Sequence, residues 1–428
     1  MNTKKLMQFL VLTCSLAALG SLPAQEFERE PIEYSKRSGD NRVTRLAAEL
    51  QSGKKTLKHE VGFGYLRSLL AELHVSQSSQ TLVFSKTSLQ RQRISPPTPR
   101  ALYFSDDTYI GFCHEGDVLE ISAMDQDLGA IFYTLDQTDH RAPRITRQAD
   151  NCLICHGSSS TKSVPGFVVR SVYSDAGGFP ILSSGTYRID HTSPLERRWG
   201  GWYVTGTHGP QKHLGNLVVR DKREPEQVDN AAGQNVTDLS HRFDTSEYLT
   251  PHSDIVALMV LEHQADAHNY ITQANFATRQ ALHYEQTLNR ELGKPAKEHW
   301  DSTTSRIKSS CEPLVEYLFF SDEALLTHKI EGTSNFAAEF QQPGPRDKKG
   351  RSLRDLDLTR RMFQYPCSYL VYSPSFGALP QEAKEYVFRR MREVLAGHDK
   401  GDKFKHLSAG DRQAIQEILS ETLPEFRS

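Results

Sequence analysis

Tyr109-Ile110-Gly111-Phe112, Val118-Leu119-Glu120-Ile121 and Ile131-Phe132-Tyr133-Thr134-Leu135 are three short runs of β-branched and aromatic residues with turn formers between them. Such runs read as β-strands. Tyr103 opens the series. After residue 157 the same style continues through Gly166-Phe167-Val168-Val169-Arg170-Ser171-Val172-Tyr173, Ile181-Leu182, Trp202-Tyr203-Val204 and Leu217-Val218-Val219, with glycine dense between the runs. Residues 101–250 therefore read as a β-rich region.

Helical patterns flank it on both sides. In the lead-in, residues 25–100, apolar positions recur at helical spacing over Asn41 to Gln51 and over Val61 to His74, carried by Leu46, Leu50, Phe63, Leu66, Leu69, Leu70 and Leu73. In residues 251–428, Ser253-Asp254 is a good N-cap for a long helix that Gly293 and Pro295 stop near Leu292. Further helices are expected at Ser302 to Phe320 with a break near Pro313, at Leu356 to Met362, and at Gln381 to Leu395. A last one, Ser408 to Glu421, has Asp411 in the capping-box position. Residues 342–352, with Pro343-Gly344-Pro345 and a run of charges, read as an exposed linker. The expected class is α+β: a β-rich middle, a helical N-terminal segment and a helical C-terminal half. A chain of 428 residues has room for two or three folding units.

Within the β-rich region lies Asn151-Cys152-Leu153-Ile154-Cys155-His156-Gly157, a C-x-x-C-H motif. Two thiols at this spacing can each form a thioether with one vinyl group on the same edge of a haem, and the adjoining histidine then supplies an axial nitrogen. Half of a zinc site is the bland alternative, but zinc needs further paired ligands, and the chain has no other C-x-x-C. A redox dithiol would want a βαβ setting and has no need of the histidine.

The N-terminus supports the haem reading. Lys4 and Lys5 precede an apolar stretch from Leu6 to Leu19, too short for a settled membrane span, and Pro23-Ala24-Gln25 offers a cleavage site after Ala24. The expected address is the periplasm, with residues 1–24 a signal peptide and no membrane span in the mature chain. Lysine plus arginine, 51, nearly balances aspartate plus glutamate, 53, so no global field points to nucleic acid or an anionic membrane. Of six cysteines, Cys14 leaves with the signal and two form the motif. Cys311 and Cys367 are expected to pair, leaving Cys113 free.

The motif resembles that of the c-type cytochromes, which implies one covalently attached haem c, thioethers at Cys152 and Cys155, and His156 as proximal ligand. The runs Gly200-Gly201-Trp202-Tyr203-Val204-Thr205-Gly206-Thr207-His208-Gly209, Leu261-Glu262-His263-Gln264 with His268-Asn269, and Tyr365-Pro366-Cys367-Ser368-Tyr369-Leu370 are similar to a group of exported bacterial proteins with one c-type haem domain. That likeness spans most of the mature chain and brings no activity with it. Small cytochromes of the commonest class are helical with a methionine loop after the motif, whereas here no methionine stands between Cys155 and Met259.

The sixth iron position decides the chemistry, because a strong protein ligand suits electron transfer and an empty position admits small ligands. His208, in a glycine-rich loop with His213, is the first choice, since glycines let a loop pass close to a flat ring. Trp199 and Trp202 stand just before that loop. On the long helix Glu262, Asp266, Asn269 and Gln273 share a polar stripe, with Val260, Ala267 and Ile271 opposite and His263 and His268 about 140° apart on its shoulders. His263 is the third choice of ligand. Met124, Met259, Met362 and Met391 are the minority candidates. The expected work is one-electron transfer with a redox partner protein. The alternatives are a peroxidase-like haem enzyme, with His208, His213 or His263 as distal acid-base group, and a haem-based sensor.

Overall fold

An antiparallel meander occupies the centre of the computed structural model, which describes residues 26–139, 142–295 and 298–427. The expected signal peptide over residues 1–24 and the expected cleavage site lie outside the described residues. The strands are β1 (Thr81–Val83), β2 (Arg100–Phe104), β3 (Thr108–Phe112), β4 (Val118–Asp125), β5 (Gly129–Asp136), β6 (Ile145–Gln148), β7 (Arg170–Val172), β8 (Thr186–Arg188), β9 (Trp202–Tyr203), β10 (Gly206–Thr207) and β11 (Glu331–Gly332). The main sheet runs β6-β5-β4-β3-β2-β1-β9, while β7-β8 and β10-β11 form small ribbons of their own. The sheet thus begins inside the stretch expected to be a helical lead-in: Thr81-Leu82-Val83 is fully buried between β2 and β9.

Side chains alternate across the sheet with the period of two that strands impose. Ala101 and Tyr103, Ile110, Leu119, Ala123, Ile131 and Leu135 are buried on one face. The N-terminal segment covers it: the Asn41 amide donates to the Tyr133 hydroxyl at 2.9 Å, and the Tyr34 hydroxyl donates to the Ala130 carbonyl at 2.9 Å. The other face carries Leu102, Tyr109, Gly111, Glu120, Ser122, Phe132 and Thr134 in register. It looks toward the motif.

The helices are α1 (Arg42–Gln51), α2 (Leu66–Glu72), α3 (Asp150–His156), α4 (Ile255–Glu291), α5 (Asp301–Leu318), α6 (Phe336–Gln341), α7 (Pro374–Gly377), α8 (Gln381–Leu395) and α9 (Ala409–Thr422). The mixed α+β class is as expected. Asp254 caps α4 by accepting from the Val256 N–H at 2.8 Å, and the reciprocal bonds of Ser408 and Asp411 open α9, each as the sequence implies. Among the described residues, no helix is long and apolar enough to cross a membrane.

Several local expectations fail for identifiable reasons. Helix α2 starts only at Leu66, because Gly62 and Gly64 take φ of +81° and +54° and break the pattern from Val61. Residues 356–362 are a turn, not a helix: the Asp357 carboxylate captures the N–H groups of Thr359 and Arg360, and Leu356 bridges to Phe363. Pro313 lies inside an uninterrupted α5. The supposed linker is tied down, since Lys349 and Arg351 both pair with Glu417 on α9. Cys311 and Cys367 do not pair; both are buried free thiols, as is Cys113. Burial pushes the Cys311 thiol up to about 11 and that of Cys367 higher.

Candidate functional site

Helix α3 places Cys152, Cys155 and His156 at positions i, i+3 and i+4, which share one face of a helix. Leu153 turns into the core and Ile154, 73% exposed, turns outward. All three motif side chains line one cavity of about 340 Å³, within the size range of small-molecule and cofactor sites. Its walls come from far apart in the chain. The sheet face supplies Leu102, Tyr109, Gly111, Glu120 and Phe132, the segment after the motif supplies Phe167 to Arg170, β9 supplies Trp202, and α4 supplies Leu261 and Ala265.

His156 is oriented by a single bond. Its Nδ1 lies 2.9 Å from the Gly166 carbonyl oxygen. A carbonyl only accepts, so Nδ1 carries the proton and Nε2 keeps its lone pair. The Gly166 N–H in turn donates to the His156 carbonyl at 2.9 Å, so the two residues are latched in both directions. Burial holds the imidazole below its ordinary value, with the Gly166 bond pulling the other way, which keeps it neutral and fit to bind a metal. The Phe132 ring packs 4.8 Å from it, centroid to centroid.

Charge is confined to one part of the wall. The guanidinium of Arg100 pairs with Glu120 at 2.7 Å, both largely buried. Gly111 makes this possible, because a Cβ there would stand 2.2 Å from Arg100 Nη2. Arg170 also lines the cavity and has no acidic partner among the described residues. The Trp202 indole donates to the Arg170 carbonyl at 2.7 Å, fixing the ring in the wall.

The histidines expected as sixth ligand are elsewhere. His208 is fully buried against the 230s segment: its Nε2 accepts from the Asn235 N–H at 3.1 Å, and its ring lies 4.7 Å from that of His213. Gly209 and Gly215 bring this loop against His328 and Val204, not across the cavity. His263 shares a hydrogen with His191 between Nδ1 atoms 2.9 Å apart and meets Ser368 through Nε2 at 2.9 Å. His268 donates to the Asp106 carbonyl at 2.8 Å. Of the tryptophan pair, Trp202 walls the cavity, while Trp199 is buried with its indole donating to Glu262 at 3.2 Å. Among the described residues His156 is the one imidazole lining the cavity, and no methionine lines it.

Arg100, Glu120, Phe167 and Arg170 escaped the sequence reading. Alternation on β4 and the Gly166-Phe167 pair were visible, but which strand face met the motif was not. Compared with known protein families, curated proteins and solved structures, the chain shows no match.

Proposed function

We propose that the chain is a mono-haem c-type cytochrome, exported to the periplasm, with haem c held through thioethers at Cys152 and Cys155 and ligated on one side by His156. The observation that carries this is the convergence of both thiols and an imidazole with a free Nε2 on one cavity. The donor set suits a porphyrin better than a bare ion. A porphyrin brings four nitrogens and asks the protein for one or two more, whereas a zinc centre needs three or four protein ligands. Among the described residues no three His, Cys, Asp or Glu side chains stand so that together they could hold a metal ion. Phe132, Phe167, Leu102 and Leu261 offer apolar walls for a flat ring, and Arg100 and Arg170 offer cations for its acidic arms.

When bound, the haem supplies a one-electron couple, and one-electron transfer with a redox partner protein in the cell envelope is the work this site supports. The chain's own part is to keep Nε2 deprotonated, to limit water with aromatic walls and to fix the ring edge covalently. The lining favours a second reading alongside it. Among the described residues no second imidazole and no thioether lines the cavity, and a bound haem iron would then accept water or a small exogenous ligand, which suits a peroxidase-like enzyme or a sensor.

The exported chain is expected to keep a haem stain on a denaturing gel and to lose it when Cys152→Ala and Cys155→Ala are combined; a surviving stain overturns the attachment. A spectrum of the reduced protein with and without carbon monoxide then separates the two readings. A shift on adding the gas supports the open position, and an unchanged spectrum supports a protein sixth ligand and electron transfer alone.

A further inference from the structure

The backbone that orients His156 is itself gripped from α4. Asn269 reaches across to the segment after the motif, where its Oδ1 accepts from the Phe167 N–H at 2.8 Å and its Nδ2 donates to the Phe167 carbonyl at 2.7 Å. One side chain thus satisfies both polar groups of a residue next to Gly166, in the manner of a strand partner. The fit allows no side chain at Gly166, because a Cβ there would stand 2.0 Å from Asn269 Oδ1. Asn269 is held in its turn: Nδ2 also donates to Asp266 Oδ1 at 3.1 Å, and Asp266 receives the Arg188 guanidinium at 3.0 Å. Lys162, in the turn that leaves α3, approaches the same carboxylate at 3.6 Å. On the near side the Ala130 N–H donates to the Pro165 carbonyl at 3.0 Å, so β5 pins the other neighbour of Gly166.

We propose that Asn269 is a positioning residue for His156. By clamping Phe167 in both directions it fixes where the Gly166 carbonyl points, and that carbonyl selects the Nδ1–H tautomer that leaves Nε2 free to bind. The physical case is that a neutral imidazole has two tautomers of similar energy, chosen by whichever nitrogen finds an acceptor. An acceptor on a floppy loop chooses weakly, and one held at both flanks chooses firmly. Groups behind a metal ligand commonly govern its basicity and orientation in this way. The buried end of the polar stripe on α4 thereby gains a purpose. Asp266 and Asn269 tie down three points of the chain that follows the motif, at Lys162, Phe167 and Arg188.

This inference rests on His156 being the axial ligand, and the test keeps the two apart. Nitrogen NMR of the His156 ring is recorded on the full mature chain made without haem, for the parent, Asn269→Leu and Asn269→Asp. The Asp variant keeps the acceptor for the Phe167 N–H at nearly the same volume. The parent is expected to show Nδ1–H in excess. The Leu variant is expected to move the tautomer ratio toward Nε2–H by roughly fivefold, the factor that one net hydrogen bond is worth, and the Asp variant by less. Gly166→Ala, which pushes Asn269 away from the opposite side, is expected to move the ratio in the same direction. Amide chemical-shift dispersion is recorded on the same samples, and the ratio is read only for variants whose dispersion matches the parent, because an unfolded imidazole drifts toward Nε2–H by itself. An unchanged ratio in both Asn269→Leu and Gly166→Ala overturns the positioning role. A ratio that moves in a chain that never takes up haem stain overturns the haem reading and leaves the clamp standing.

Discussion

Burial holds the His213 imidazole down to about 3 and that of His268 to about 4, while His191 and His263 are held well below the ordinary value. A histidine whose folded pKa lies below its unfolded value of 6.5 takes its proton first in the unfolded chain. Its contribution is complete above pH 6.5 and is lost as the pH falls toward 4 and 3, at up to about 1.4 kcal/mol per pH unit for each group. Glu323 and Glu262, pushed up by burial to about 7 and about 8, work in the other sense, since their contribution is complete below the unfolded value of 4.5 and is lost as the pH rises through the folded one. The four imidazoles outnumber these two carboxyls. The urea midpoint is therefore expected to fall steadily between pH 6.5 and 5, and His268→Gln, which keeps a donor for the Asp106 carbonyl, to flatten part of that slope. A midpoint constant over the interval would refute the assignment. At this scale the sequence was partly readable. The spacing of Cys152, Cys155 and His156 brings them to one face because they lie on α3, a helix that the sequence reading did not place there. His208 shows the limit: glycines permit a close approach but do not say to what, and here the loop closes on Asn235.

Helix α4 illustrates the same limit at the scale of an element. Its start, its length and the angular order of its side chains are legible, and its polar stripe is real. A helical wheel gives angles, not neighbours, and this stripe is buried among the segments that follow the motif instead of facing water. At its N-terminal end Glu262 is fully buried and paired with Arg198, with Trp199 as a further donor. Burial pushes the carboxyl up and the guanidinium draws it back. Arg198 also donates to the Ser193 and His191 carbonyls at 2.7 and 3.0 Å. Removing one member of such a pair leaves the other without compensation, so Arg198→Leu is expected to cost about 3–5 kcal/mol in urea unfolding. Adding Glu262→Leu should recover part of that loss, with a coupling of about 2 kcal/mol. Strictly additive effects would mean that the two groups stand independently.

Across the whole molecule, one hydrophobic core runs from Phe27 to Phe426 and includes both sheet faces and α4 to α9. The boundary near residue 250 suggested by the change from strand to helix patterns is therefore no boundary in packing. A chain ending at Pro251 lacks the α4 face that closes the cavity and is expected to show no cooperative thermal transition by circular dichroism, whereas the full chain gives one. A cooperative transition in the shortened chain would mark residues 26–251 as a unit that folds alone. Such long-range closure could not be read from local pattern, because nothing in a strand's alternation names the distant helix that will cover it. It also has a consequence in time. Asn269 follows His156 by about a hundred residues, and at ribosomal rates of roughly 5–20 residues per second that separation lasts on the order of 5–20 s. For that interval the two thiols sit on a strip of chain whose latch has not yet been made. Whatever reaches the thiols within that interval would meet an open ribbon, and the later arrival of α4 would shut the cavity behind it.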